Sequence, residues 1–307
     1  MNSADPVAEQ YARYAYPEPG DDIPTWLRSF NYDPYDPSQY STLFWPEGRP
    51  KTKLKILVAG CGTMEAAVLA FKNPKCSVTG VDFSELSIAH EERLRERHKL
   101  ENLTLRVMDL LDVPTLEQHF DLIVCTGVLH HLRDPAAGLR ALASVLDPSC
   151  GAMVLMLYGR LARAGIYALQ DAFRRMGIPQ SPEGVAAVRS ILGRLPPHHL
   201  GRWYFKTSSE MNSDAAIVDT FLHRQDVAYS VADVLAFVES NGLRFQDWLD
   251  RGTYNQDWPS VDPNIPERDR WSINEDFSTS ISTHSPLAMP PSPMALPLSS
   301  LISIPLS

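Results

Sequence analysis

Three groups of residues in this chain have the types and spacing to do chemistry. The first is the turn "VAGCGTMEAA", where Gly60 and Gly62 follow an apolar run and precede a helical one. Glycines there let the backbone turn sharply and approach a ligand closely, and the next helix offers free N–H groups. A dinucleotide-binding turn carries a third glycine for close helix packing beside the pyrophosphate, but here Met64 and Glu65 follow instead. A carboxylate at Glu65, near the helix start, opposes a pyrophosphate unless it points away. The phosphate loop GxxxxGK[ST] is also missing from this turn. What fits the turn is a nucleoside without phosphates, and Met64 is expected to pack the helix rather than touch the ligand.

The second group is a pair of aspartates at predicted strand ends. Asp82 stands 22 residues after Gly60, where a carboxylate can accept both hydrogen bonds of a ribose diol. Helix capping is the competing role. Asp109, in "VMDLLD", is placed to accept from an adenine amino group with Leu110 beside the ring, or else to serve a turn. The third group is the histidine pair His130 and His131, which follows the fourth predicted strand in "FDLIVCTGVLHHLRDP". Histidine exchanges protons near neutral pH, so one of them, His130 by preference, is a candidate base, against a role in packing or capping with the other facing solvent. Tyr158 is expected to open toward the same place or to pack. The tyrosines Tyr11, Tyr14 and Tyr16 are placed to form an aromatic lid or to pack on the core. A second pair, His198 and His199, has no nearby cysteine and no HExxH spacing, so no metal site is expected.

Taken with the glycine turn and the two aspartates, the "VCTGVLHHL" string resembles the class I S-adenosylmethionine-dependent methyltransferases, in particular the small-molecule type 11/12 methyltransferase domains. The resemblance covers residues 51–158, and the helix and strand at 230–249 fit the family's order. It implies S-adenosyl-L-methionine as cofactor and a small-molecule methyl acceptor. It further implies that Gly60, Cys61 and Gly62 approach the methionine part, that Asp82 and Phe83 hold the ribose and adenine edge, and that Asp109 and Leu110 bracket the adenine. Thr126 and Gly127 would face the sulfonium. The family often reads GxGxG, so Met64 departs at the third position. A nicotinamide-dependent oxidoreductase with a degenerate turn and a non-catalytic methyltransferase-like scaffold are the competing readings.

The elements that must position these residues alternate strand and helix from Leu54 onward. "KILVAG", "CSVTGVD", "LTLRVMD", "FDLIVCTG" and "GAMVLMLYG" read as five strands of a parallel sheet covered on both faces. Ser84 is expected to cap the helix after the second strand, with Leu86, Ala89, Leu94 and Leu100 on its buried side and the charged residues between them solvated. The expected fold is α/β: a Rossmann-like, doubly wound, mostly parallel sheet with a helical insertion after strand five and an aromatic-rich N-terminal arm. The boundaries are an aromatic and proline-rich arm or lid over 1–50, the cofactor-binding core over 51–158, a helical, substrate-recognising insertion over 159–229, a completion of the core over 230–284, and a proline- and serine-rich, disordered tail over 285–307. In the completion, Ser230 and Asp233 form a capping box and Gly242 a C-terminal cap.

Composition bounds the rest. With 307 residues and 44% hydrophobic content the chain can bury a full core, and a formal charge of −9 argues against nucleic acid reached by bulk electrostatics. The four cysteines have neither CxxC spacing nor the density of a disulfide framework, which suits a reducing, cytoplasmic setting. No basic-then-apolar leader opens the chain and no run of about 18 apolar residues occurs, so no membrane partner is expected.

Overall fold

The computed structural model describes residues 6–14, 16, 20–29, 35–48, 52–249, 265–272 and 298–303. Three short helices come first: α1 (Pro6–Arg13), α2 (Ile23–Ser29) and α3 (Pro37–Phe44). The expected arm is therefore helical in part, since prolines are tolerated in a first turn, as in α1 and α3, while they keep each helix short.

The core follows as β1 (Lys55–Ala59), α4 (Glu65–Lys72), β2 (Ser77–Asp82), α5 (Glu85–His98), β3 (Leu103–Val107), β4 (Leu122–Thr126), α6 (Pro135–Ser144) and β5 (Ala152–Leu157). These five strands pair in parallel, with β1 in the middle between β2 and β4. Strand alternation sorts the core onto two faces: Ile56 and Val58 of β1 pack with α4 and α5, while Leu57 and Ala59 pack with α6. Both faces are covered, which is why the strands read as continuous apolar runs.

The expected insertion holds α7 (Ala164–Arg175), α8 (Pro182–Arg194), α9 (Leu200–Thr207) and α10 (Asp214–Phe221), packed around a core of their own that includes Phe173, Val188 and Phe221. Then come α11 (Val231–Ser240), opened by the Ser230–Asp233 capping box, and β6 (Arg244–Trp248). Gly242 takes a left-handed φ of +77° just past α11, as a C-terminal cap requires.

Two expectations are corrected here. Residues 298–303 are not a disordered stretch: they form β7 (Leu298–Ser303), which runs antiparallel between β5 and β6 and completes the order β3-β2-β1-β4-β5-β7-β6. This hexamer is free of proline between Pro297 and Pro305, so every residue keeps an N–H to donate, to one neighbouring strand or the other in alternation. The rest of the 285–307 segment lies outside the described residues. On α5 the buried side is set by Ile88, Glu91 and Leu94, while Leu86 is 54% exposed and Ala89 also faces out. A charged residue at the centre of the buried face broke the apolar pattern. Among the described residues no helix is long and apolar enough to cross a membrane.

Candidate active site

The turn after β1 shows why its glycines are needed. Gly60 and Gly62 have φ of +75° and +57°, and a Cβ on Gly60 would stand 2.2 Å from Val128 Cγ2. The N–H groups of Gly60 and Cys61 both donate to Val81 O, at 2.8 and 3.0 Å, which ties the turn to the end of β2. Gly62 N–H donates to Asp82 Oδ2 (2.9 Å), and Ser84 N–H donates to Asp82 Oδ1 (2.8 Å). Asp82 thus braces the glycine turn and the start of α5 at once. Burial pushes its carboxyl up, against the pull of these two N–H groups. Each oxygen keeps an acceptor site beyond its backbone bond, enough for a diol.

The start of α4 is filled from within. Glu91 of α5 is fully buried, and its Oε1 and Oε2 accept from Ala66 N–H (3.0 Å) and Ala67 N–H (2.8 Å). Burial pushes Glu91 up to about 8, the two N–H groups holding it lower than burial alone would. A pyrophosphate needs those N–H groups, so the seat it would take belongs to a protein carboxyl group. Glu65 turns aside and accepts from Thr126 Oγ1 at 2.7 Å. Met64 is buried, and its sulfur accepts from Gly20 N–H at 3.3 Å, so it clamps the N-terminal segment to the turn.

Other residues named from the sequence divide. Phe83 is 41% exposed at the end of β2, edge-on to Tyr11 at 6.0 Å between centroids. Asp109 is exposed and its Oδ1 caps Leu111 N–H. Leu110 belongs to the core, and the exposed side chain of that turn is Leu111, at 48%. The Cys61 side chain is buried, and its N–H and C=O both serve the turn. Gly127, at φ +71°, follows Thr126 beside the turn. His199 caps α9 by accepting from Gly201 N–H.

Beyond the ends of β4 and β5 lies a buried polar cage that the sequence announced only in part. His130 and His131 are both buried, so neither faces solvent. The His130 ring packs on Tyr158 (3.9 Å between centroids), and neither of its nitrogens has a hydrogen-bond partner among the described residues. His131 stacks on His223 at 3.9 Å and 22°. Its Nδ1–H donates to Gln225 O (3.0 Å), while Gln225 N–H donates to His223 Nδ1 (3.1 Å). Burial holds all three imidazoles in their neutral form, His223 at about 4. Asp219 of α10 accepts from the hydroxyls of Tyr11 (2.7 Å) and Tyr158 (3.3 Å), two phenols that burial pushes well above their usual range. Arg163 lies over the Tyr158 ring at 3.5 Å and faces Asp226 at 4.0 Å. Of this set, Tyr11, His130, His131 and Tyr158 were named from the sequence. Asp219 was readable only as an aspartate inside the apolar run "AAIVDTFL". Arg163, His223 and Asp226 carried no such signal.

Residues 57–152 match a family described as a methyltransferase domain. An uncharacterized protein of Synechococcus sp. is 33% identical over 268 residues, taking in 82% of this chain and 61% of its own. The ubiquinone biosynthesis O-methyltransferase of Marinobacter nauticus is 31% identical over 97 residues, 31% of this chain and 40% of its own. Among solved structures, PKMT2 from Rickettsia typhi in complex with AdoHcy superposes with a TM-score of 0.59 at 16% identity, over 88% of this chain and 52% of that one. At that identity the likeness concerns the fold. The chain spans 61% or less of the length of these relatives.

Proposed function

We propose that this chain, whose residues 57–152 match a methyltransferase domain, is a class I S-adenosylmethionine-dependent methyltransferase that transfers the methyl group of S-adenosyl-L-methionine to an oxygen, nitrogen or carbon of a small-molecule metabolite. One observation carries the choice of ligand. Glu91 occupies the N–H groups of Ala66 and Ala67 at the start of α4, while Asp82 stands at the end of β2 with acceptor capacity to spare. A nucleoside without phosphates fits that arrangement, and a dinucleotide does not.

In this reading Gly60 and Gly62 let the backbone approach the methionine part, and Thr126 and Gly127 border the sulfonium. Asp82 takes the ribose, with the exposed faces of Phe83 and Leu111 beside the adenine and Asp109 near its amino group. When bound, S-adenosyl-L-methionine supplies an electrophilic methyl, so the chain's own task is to align and desolvate a nucleophile, which can be worth about 7–11 kcal/mol. The cage under the insertion is the acceptor side. His130 there has no hydrogen-bond partner among the described residues and no carboxylate that would favour its imidazolium, so it suits holding the acceptor better than storing its proton. The four cysteines are free, which fits a reducing, cytoplasmic setting.

Thermal shift and calorimetry with S-adenosylmethionine, S-adenosylhomocysteine and NAD test this. Both sulfur nucleosides should stabilise the protein and NAD should not. Stabilisation by NAD alone would replace methyl transfer with the oxidoreductase reading.

A further inference from the structure

We propose that Asp219 is the seat of a cation, the ammonium group of an amine acceptor, and that His131 Nε2 takes the proton the acceptor loses before it is methylated; this rests on the methyl-transfer reading above. Asp219 is 2% exposed, and its oxygens meet two neutral donors, the hydroxyls of Tyr11 and Tyr158. No lysine or arginine among the described residues pairs with it, since Arg163 faces Asp226 instead. A buried carboxylate without a counter-charge is costly, and an entering cation relieves that cost. The groups around it are the hydroxyls of Tyr11 and Tyr158 and the neutral imidazoles of His131 and His223, none of which supplies a positive charge.

Gln225 fixes which proton each imidazole holds. A carbonyl can only accept, so His131 carries its proton on Nδ1 and keeps the lone pair of Nε2. A backbone N–H can only donate, so neutral His223 accepts at Nδ1 and carries its proton on Nε2, which has no partner among the described residues. That pattern separates two kinds of cation. Ligand atoms of His131, Asp219 and His223 lie within 4.8 Å of one another, a spacing that suits a metal ion. A metal would require His223 to move its proton or surrender the Gln225 N–H. An ammonium needs only the acceptors Asp219 and His131, and leaves His223 Nε2–H for an oxygen of the same molecule.

The step balances. The ammonium gives one proton to His131 Nε2, and the freed nitrogen lone pair forms the N–C bond as the S–C bond breaks, its electron pair staying on the sulfur of S-adenosylhomocysteine. The His131 proton then leaves to solvent with the methylated product. The groups facing His131 are Asp219, which favours the imidazolium, Arg163, which opposes it, the neutral His130 and His223, Asp226, and the phenol of Tyr158, while Tyr11 stands behind Asp219.

The test uses the full chain with saturating S-adenosylmethionine and a panel of ethanolamine, benzylamine and tyramine against phenols and carboxylic acids. S-Adenosylhomocysteine release and product mass are followed. Only amines should be methylated, and Asp219→Asn should lower kcat/KM for them about 100-fold while cofactor affinity stays within about twofold. In His131→Gln, kcat/KM should climb about tenfold per pH unit from about 7 to 9, as free amine grows in solution, where the native chain stays flat. Transfer only to phenols or acids, or to nothing in the panel while the cofactor still binds, overturns the amine assignment. So does an unchanged Asp219→Asn, an unchanged pH profile in His131→Gln, or activity lost to a chelator and restored by zinc that Asp219→Asn no longer binds. Failure to bind S-adenosylmethionine at all overturns instead the methyl-transfer reading beneath it.

Discussion

The hydroxyl of Tyr11 donates to Asp219 Oδ1 at 2.7 Å, joining the first helix to the last helix of the insertion across 208 residues of sequence. The same ring meets Phe83 edge-on, on the side assigned to the adenine. Tyr11 therefore touches both halves of the site, and Tyr14 and Tyr16 pack against the insertion's apolar core beside it. Tyr11→Phe keeps the ring and removes one hydrogen bond to a buried carboxylate, a loss of about 1.5–3 kcal/mol. We expect lower stability in denaturant melts, and faster hydrogen exchange confined to α1 and α10. Exchange unchanged in α1 would show that apolar packing alone docks the helix.

Glu91 makes stability depend on pH. Its carboxyl is raised to about 8 in the folded chain, so the folded state binds its proton more tightly than the unfolded state does. That stabilisation is complete below the unfolded value near 4.5 and is lost as pH rises through about 8, at no more than about 1.4 kcal/mol per pH unit. Glu91→Gln mimics the protonated form and should flatten this slope between about pH 5 and 8. Urea melts at several pH values read the slope, and an equal slope in both proteins would assign the pH dependence to other groups.

At Gly60 two costs coincide. The φ of +75° disfavours any side chain, and an added Cβ would meet Val128 Cγ2 at 2.2 Å. The conformational part alone is about 1–2 kcal/mol. Gly60→Ala should lower stability by more than that and abolish binding of S-adenosylmethionine. Adding Val128→Ala removes the overlap but not the φ strain, so stability should return only in part. Full recovery in the double variant would mean that the backbone relaxes freely there.

Asp82→Ala should weaken S-adenosylmethionine by about tenfold or more, since it removes a buried ribose acceptor along with the brace on Gly62 and Ser84. Calorimetry measures this directly. Affinity within twofold of the native chain would reduce Asp82 to a cap.

Legibility in the sequence followed locality. The five parallel strands were readable because burial on both faces leaves each an uninterrupted apolar run, and Ser84 and Ser230 announced their helices through cap chemistry with near neighbours. Where a buried polar residue answers a distant partner, the pattern misled. Glu91 looked like part of a solvated face because the N–H groups it satisfies lie 24 and 25 residues away. The cage was divided among α1, the ends of β4 and β5, the start of α7 and the α10 segment, so no spacing rule could assemble it. Leu110 and Leu111 exchanged expected places because the direction of a turn's side chains is set by its dihedrals, not by its order of residues.

β7 was the furthest from legible and yields the sharpest test. Its partners, Ala152–Leu157 and Arg244–Trp248, lie about 50 to 150 residues upstream, and no local turn signal connects them to it. Once in place it satisfies the inner edges of both β5 and β6. Truncation after Thr283 leaves two rows of unpaired backbone groups facing each other across an empty lane, and unpaired edges invite pairing between chains. The truncated protein should therefore aggregate or elute as large species in size-exclusion chromatography, with loss of S-adenosylmethionine binding. A monomeric product with the native melting temperature would mean that β5 and β6 close on each other directly, and that β7 adds nothing the sheet requires.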